Sequence, residues 1–268
     1  MLNIIVLVKQ VPNTSEVKID PETNNLIREG IPSIVNPYDL YAIEEALRLK
    51  EQYGAKVTAL SMGPGMAADV LKEAIAMGAD KGVLLSDYAF RGADTLATAY
   101  TLAAGVKEIG IPDLILCGKQ AADGDTAQVP PELAEQLGMA CITYVSKIYE
   151  INDGKIVVRR NLDYGDMEAE ADLPAVITVQ KGINDVRLPT LESMVVAAAQ
   201  PIKTLTVKDV DVDENKISIA GSPTKVVKIF SPKTERRGRV LEGSLEEQLS
   251  VVMEQLQEGE FLVKEGVM

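Results

Sequence analysis

Apolar and polar positions alternate along the first half of the chain in a recurring strand and helix rhythm. Asn3 to Lys9 is a short continuous apolar run with β-branched residues, the pattern of a strand buried on both faces. Asn36-Pro37-Tyr38-Asp39 then opens a helix to about Tyr53: Asn36 can cap it, Pro37 suits its first position, Ala42, Ala46, Leu49 and Tyr53 line one face, and Gly54 ends it. Between these, Lys18 to Leu26 has the turn residues of a small hairpin. Lys56 to Met62 is the next strand, and Gly63-Pro64-Gly65-Met66-Ala67-Ala68 opens a helix that ends near Gly78. Lys81 to Leu85 is a third strand, Gly92-Ala93-Asp94-Thr95 starts a helix to about Ile109, and Asp113 to Cys117 is a fourth strand. Such alternation predicts an α/β fold with a parallel sheet, right-handed crossovers and a ligand site outside the C-terminal ends of the strands.

The rhythm changes after Gly138. Cys141 to Ile151 and Lys155 to Asn161, joined by Asn152-Asp153-Gly154, read as a β-hairpin, with further strands at Met167 to Ala171 and Ala175 to Gln180; together they predict an antiparallel extension of the sheet. From Val186 the composition loosens. A short helix at Glu192 to Gln200 is bounded by Pro201, and no second core is evident before Val226. A basic cluster, Lys233, Arg236, Arg237 and Arg239, reads as a solvated loop, and Ser244-Leu245-Glu246-Glu247 starts a terminal helix with a capping box and the apolar face Leu245, Leu249, Val252 and Leu256. The expected organisation is a Rossmann-like nucleotide-binding α/β domain over 1–185, with helices on both faces, and a partner-docking segment and C-terminal arm over 186–268.

Composition narrows the chemistry. The 268 residues carry a net charge of −13, against nucleic acid or an anionic membrane as partner. No apolar run approaches the roughly 18 residues of a membrane span, and the apolar start is too short for a secretory leader, so a cytoplasmic protein without membrane insertion is expected. Histidine is absent, which removes a Ser-His-Asp triad, a Cys-His pair and any histidine metal ligand. Cys117 and Cys141 are too few and too far apart for a zinc site or a redox dithiol, and no metal site is expected. Chemistry here falls to a bound cofactor rather than to a catalytic side chain.

The stretch from Leu116 to Ala134 runs from strand end through loop to helix start, and contains Cys117, Gly118, Lys119, Gln120, Asp123, Gly124, Asp125, Thr126, Ala127, Gln128 and Val129. Amides at a helix N-terminus lack intrahelical partners and attract phosphate, and Gly124 permits close approach. A capped helix without a ligand fits the same string, because Asp123, Asp125 and Thr126 are good capping residues. It is not a Walker loop, since no Gly-Lys-Ser/Thr closes it. The other strand ends that converge on this rim are Leu7, Val8 and Lys9, then Met62 and Gly63, then Ser86 and Asp87; Asn36, Tyr38 and Asp39 reach it from a helix start, whereas Asp94 and Thr95 read by themselves as an ordinary cap. Gly63-x-Gly65-x-x-Ala68 resembles a dinucleotide fingerprint, but Pro64 removes an amide and no acidic residue follows at the spacing of about 20 that such a motif needs, so it reads as a tight turn.

The string Gly118-Lys119-Gln120-Ala121, Asp-Gly-Asp-Thr-Ala-Gln-Val over 123–129, and Leu133, Ala134, Leu137 and Gly138 resembles the signature of the electron-transfer flavoprotein β subunit. Val6 to Lys9, Asn36-Pro37-Tyr38, Ala76 to Asp80, Leu173 to Val176 and Arg187 to Leu191 support the resemblance along nearly the whole chain. It implies that the loop wraps nucleotide phosphates, FAD in the bifurcating form to which 123–129 is similar and AMP in the other, and that the Gly92 to Thr95 segment places Thr95 against that FAD. It further implies pairing with an FAD-bearing α subunit, NADH as electron donor, ferredoxin or flavodoxin as low-potential acceptor, and a flavin-dependent dehydrogenase, acyl-CoA or other, that Leu191 contacts. Pro130 departs from the family's usual Gly, which fixes φ and removes a donor after Val129.

Overall fold

The computed structural model describes residues 1–13, 32–227 and 240–258. The expected hairpin at 18–26 and the basic cluster at 233–239 lie outside the described residues. The chain divides into two compact units, Met1–Ile229 and Phe230–Met268.

In the first unit a nine-stranded sheet forms from β1 (Asn3–Leu7), β4 (Lys56–Met62), β5 (Lys81–Leu85), β6 (Leu114–Gly118), β7 (Ala140–Asn152), β8 (Lys155–Leu162), β9 (Gly165–Asp172), β10 (Ala175–Val179) and β11 (Lys203–Leu205), in the order β11-β5-β4-β1-β6-β10-β7-β8-β9. The short strands β2 (Gln10–Pro12) and β3 (Ser33–Val35) pair antiparallel beside it. Helices α1 (Pro37–Tyr53), α2 (Ala68–Met77), α3 (Thr95–Ile109), α4 (Val129–Leu137) and α5 (Leu191–Ala199) complete the unit. Side chains alternate across the sheet as a pleated strand requires. Ile4, Val6, Leu114, Leu116 and Ile177 pack with α1 and α2, whereas Ile5, Leu7, Ile115, Cys117 and Val176 pack with α3 and α4. The expected parallel sheet with helices on both faces is observed.

The end of the sheet differs from expectation. In this sheet only the β7–β8 and β8–β9 pairings are antiparallel; β10 lies between β6 and β7 and is parallel to both. Its sequence, Ala-Val-Ile-Thr-Val, is buried throughout, as a strand covered on both faces must be, and its position spares these apolar side chains from an edge. The antiparallel extension is therefore β8 and β9, which return the chain from β7 to an inner slot.

Residues 186–227 form no separate core. β11 adds to the edge of the sheet parallel to β5, and Val210 and Ile217 join the α3 and α4 side of the core, so the compact unit runs past the boundary expected at 185. Thr190 caps α5 by accepting from the Ser193 amide at 3.1 Å. In the second unit α6 (Leu245–Glu258) begins with the expected capping box: the Ser244 amide donates to Glu247 Oε2 at 2.7 Å, and the Glu247 amide to Ser244 Oγ at 3.4 Å.

Arg187 fastens the chain after β10 to α1. Its Nε and Nη2 donate to Glu44 Oε2 and Oε1 at 2.8 and 3.0 Å, its Nη1 to Glu51 Oε1 at 2.6 Å, and its amide to Glu44 Oε2 at 3.1 Å. Since the Glu44 side chain is only 6% exposed, truncating its partner leaves a poorly solvated carboxylate. Arg187→Ala is expected to lower stability in urea unfolding by about 1–3 kcal/mol, and Arg187→Lys to recover only part because an ammonium cannot make the two-pronged contact.

Candidate functional site

The sheet order reverses between β1 and β6, which are adjacent although their following helices lie on opposite faces. A crevice outside the C-terminal ends of two such strands is where doubly wound sheets hold ligands. Here the crevice begins with a close backbone approach. A Cβ on Gly118, the last residue of β6, would sit 2.6 Å from the Tyr38 carbonyl carbon and 2.8 Å from the Asp39 amide nitrogen, so only glycine lets the first turn of α1 rest on the end of β6.

From that turn two side chains reach across the crevice. Asp39 accepts from the Lys9 amide at 2.8 Å, joining α1 to the end of β1. Burial pushes the Asp39 carboxyl up to about 7, against the Lys9 and Gly118 amides and the Asn36 side chain, which favour its charged form. Asn36 does not cap α1 with its side chain as expected. Its Nδ2 donates to the Gln120 carbonyl at 2.8 Å and its Oδ1 accepts from the Ala122 amide at 3.0 Å, so the side chain clamps the loop after β6. The helix start needs no side-chain cap there: Pro37 has no amide, and the Asp39 amide reaches the Asn36 carbonyl at 2.8 Å.

The loop folds on itself. The Asp125 amide donates to the Ala121 carbonyl at 2.9 Å, Gln120 Nε2 donates to Asp125 Oδ1, and Lys9 Nζ lies 2.6 Å from Asp123 Oδ1. Asp125 and Ala127 are left-handed, at φ 54° and 55°, while Gln128 is right-handed at φ −93°. Alternating handedness of this kind turns successive amides toward one side and makes an anion-binding concavity. Among the described residues the amides of Thr126, Ala127 and Gln128 have no hydrogen-bond partner. The Asp125 amide is spent on Ala121 and is not one of these free donors. A Cβ on Gly124 would meet nothing nearer than Lys9 Nζ at 4.0 Å, so this residue faces open space. Pro130 is buried in the first turn of α4, where an amide would lack a helical partner, and it leaves the loop intact.

The expected rim residues take three different parts. Lys9, Asn36, Asp39, Gly118, Gln120, Asp123 and Asp125 are joined by the contacts above, and Thr95 meets Gln128 across the gap between α3 and α4 at 3.4 Å. Leu7, Val8 and Cys117 are core residues that contribute backbone, and burial pushes the Cys117 thiol well above its usual range. Lys119 places its ammonium 5.4 Å from the centre of the Tyr144 ring, and the Gly63 amide bonds the Leu85 carbonyl at 3.0 Å, with Met62 packed into the core beside α3. Tyr38 is half-buried, and Thr126 and Gln128 are exposed. Leu191, at the start of α5, is 80% exposed. One residue of the rim was not foreseen: Glu132, in the first turn of α4, accepts from Thr95 Oγ1 at 3.1 Å. An acidic residue in a first helical turn was its only sequence signal.

Free amides and the Thr126 hydroxyl form a donor set suited to a phosphate or pyrophosphate, beside a glycine that faces open space and two carboxylates already held by Lys9 and Gln120. A doubly wound sheet carrying such a loop at its switch point defines an α/β protein of the nucleotide-binding class. Residues 23–215 match the family model of the electron transfer flavoprotein domain. The chain is 47% identical over 256 residues to an electron transfer flavoprotein subunit beta of Thermoanaerobacterium thermosaccharolyticum, covering 95% of this chain and 98% of the relative. It is 45% identical over 261 residues to that of Clostridium acetobutylicum, covering 97% and 100%. It is also 44% identical over 244 residues to the caffeyl-CoA reductase-Etf complex subunit CarD of Acetobacterium woodii, covering 91% and 93%. The chain therefore belongs to the electron transfer flavoprotein family, in its β-subunit branch, whose members pair with an α subunit in electron-transfer complexes.

A carboxyl held near 7 when folded and near 3.9 when unfolded binds its proton more tightly in the folded state. Its contribution to stability is full below about pH 4 and is lost as pH rises through about 7. Asp39→Asn is expected to flatten that decline: between pH 5 and 8 in urea titrations the wild type should lose about 2–4 kcal/mol more than the variant, and parallel declines would refute the assignment.

Proposed function

We propose that this chain is the β subunit of a bifurcating electron transfer flavoprotein, and that the rim between β1 and β6 holds FAD rather than AMP. The observation that carries the reading is the row of unpartnered amides at Thr126, Ala127 and Gln128 behind Gly124, where small residues leave space for a second phosphate. The bound flavin would accept a hydride from NADH and pass electrons singly, to ferredoxin or flavodoxin and to the α-subunit FAD that serves a flavin-dependent dehydrogenase.

The chain's own residues have defined tasks in this reading. Thr126, Ala127 and Gln128 would bind the pyrophosphate through backbone amides and, with Thr126 Oγ, hold it at the start of α4, where the helix dipole favours negative charge. Lys9 keeps Asp123 from opposing that charge, and Gln120 does the same for Asp125. Asn36 fixes the loop's height above β6, while Tyr38 and Thr95 flank the mouth at which a nicotinamide donor would approach. No side chain is assigned a covalent or acid-base role. The exposed Leu191, with Met194, Val195 and Val196 on the same short helix, would form an apolar anchor for the dehydrogenase. No helix among the described residues is long and apolar enough to cross a membrane, in keeping with work in the cytoplasm. The relative named for a caffeyl-CoA reductase complex supports a reductase or dehydrogenase as partner.

Denaturing the purified heterodimer and quantifying the released nucleotides tests the reading: two FAD per heterodimer are expected, and one FAD with one AMP overturns it. Gly124→Val, which adds bulk where only open space lies, should expel the β-site nucleotide and stop NADH oxidation while sparing the α flavin. Leu191→Ala is expected to lower electron delivery to the dehydrogenase by about tenfold, as loss of a buried apolar anchor would, with NADH-dependent flavin reduction unchanged. Equal loss of both would assign Leu191 to the helix alone.

A further inference from the structure

The contacts of Thr95 contain a mismatch in proton count. Its Oγ1 lies 3.1 Å from Glu132 Oε1 and 3.4 Å from Gln128 Oε1, two acceptors, yet a hydroxyl has one proton to give. The other carboxylate oxygen, Glu132 Oε2, is shielded from solvent and has no hydrogen-bond partner among the described residues. No lysine or arginine among them pairs with this carboxyl. An ionised carboxylate so placed carries an unpaid desolvation cost.

We propose that Glu132 is a positioning residue that carries a proton at the nucleotide rim: its carboxyl donates to Thr95, Thr95 donates to Gln128, and this directed chain holds the 125–128 loop with its amides open to phosphate. One proton on Glu132 Oε1 gives each acceptor of the Thr95–Gln128 chain a donor, and leaves the shielded Oε2 as a neutral carbonyl oxygen, which costs less to bury without a partner than a carboxylate oxygen does.

The surroundings agree. Burial raises the affinity of Glu132 for its proton and outweighs the Thr95 hydrogen bond, which favours the charged form; the neighbouring charge of Asp94 adds to the rise. Asp94 is the carboxylate of this pair that stays ionised: burial opposes its charge, but hydrogen bonds from the Thr224 amide and hydroxyl at 3.0 and 2.8 Å and from the Ala97 amide at 3.1 Å outweigh burial and hold it below the usual carboxylate range. Two adjacent carboxyls with environments that push them apart mark which one holds a proton. Of the elements packed against α4, α3 brings its N-cap Asp94, β10 has no ionisable side chain, and no charged group of β7 forms a hydrogen bond or ion pair with Glu132. Deprotonation would also set a full negative charge one helical turn from the amides that are to meet phosphate. Phosphate binding at the loop and protonation of Glu132 therefore support each other.

This coupling rests on the reading of the loop as a nucleotide site, so the experiment has two arms. In the first, infrared spectra of the α–β heterodimer are compared between wild type and Glu132→Gln. Asp39 contributes a protonated carboxylic acid band at pH 6 to both proteins, so the wild-type-minus-Glu132→Gln difference spectrum is the readout: a further carboxylic acid band in it is expected, and its absence overturns the proton assignment whatever ligand the loop binds. In the second, ADP is titrated into the heterodimer after its β-site nucleotide is removed, at pH 6 and pH 8.5. Wild-type affinity should fall about tenfold across that range, on the scale of one uncompensated charge nearby, and Glu132→Gln should remain nearly constant and close to the wild type at pH 6. Glu132→Ala should bind weakly at both pH values. Equal pH dependence in wild type and Glu132→Gln would show that no proton on Glu132 is coupled to the loop, and overturns the proposal. A difference band without ADP binding at either pH would leave the proton in place and refute the nucleotide reading of the loop.

Discussion

The contact between the first turn of α1 and Gly118 is the constraint on which the rim depends. The end of β6 could not lie under Tyr38 and Asp39 if it carried a Cβ, and without that approach Asn36 and Asp39 would be out of reach of their partners. With it, Asp39 ties α1 to the Lys9 amide and Asn36 ties the loop at Gln120 and Ala122 to the same turn. One missing side chain thus locks the ends of the two central strands and the loop into a single arrangement. The buried Asp39 works against its own solvation to do so, which is the stability cost of fixing the site's geometry.

The loop spends that rigidity. Left-handed Asp125 and Ala127 sit in a region that costs a non-glycine residue roughly 1–3 kcal/mol when the surroundings impose it. Tethers on either side, from Lys9, Asn36 and Gln120, hold the conformation, and the result is a row of amides directed away from the protein's own acceptors. A loop relaxed into ordinary turns would pair those amides internally and offer an anion nothing.

The periodicity of the chain made the sheet and its helices legible up to Gly138, because strands covered on both faces are continuously apolar and helices repeat near 3.6 residues. The slot taken by β10 was not legible: Ala175 to Val179 states that the strand is buried but not which neighbours bury it, and the pairing is decided by contacts distant in sequence. Residues 203–217 were unreadable for the same reason, since Val210 and Ile217 complete a core that the first half of the chain had begun. In the rim, the string 118–129 pointed to the loop, but Asn36 looked like a cap because capping and clamping call for the same short amide. Glu132 looked like an ordinary first-turn acid, since its missing partner exists only where α3 and α4 meet.

Charge has to be reconciled with an anionic ligand, because the chain as a whole is at −13. Lys9, the cation nearest Gly124, is already paired with Asp123, so the attraction at this loop comes from short-range dipoles rather than from net positive charge. Amide dipoles act within about one helical turn and lose their effect if a bare carboxylate shares the space. The observed pairing meets that condition for Asp123 and Asp125, through Lys9 and Gln120. Glu132 is the remaining acid at the start of α4 with a solvent-shielded oxygen and no cation beside it. If phosphate sits on these dipoles as proposed, the protonation state of that one group bears directly on the field that the phosphate meets.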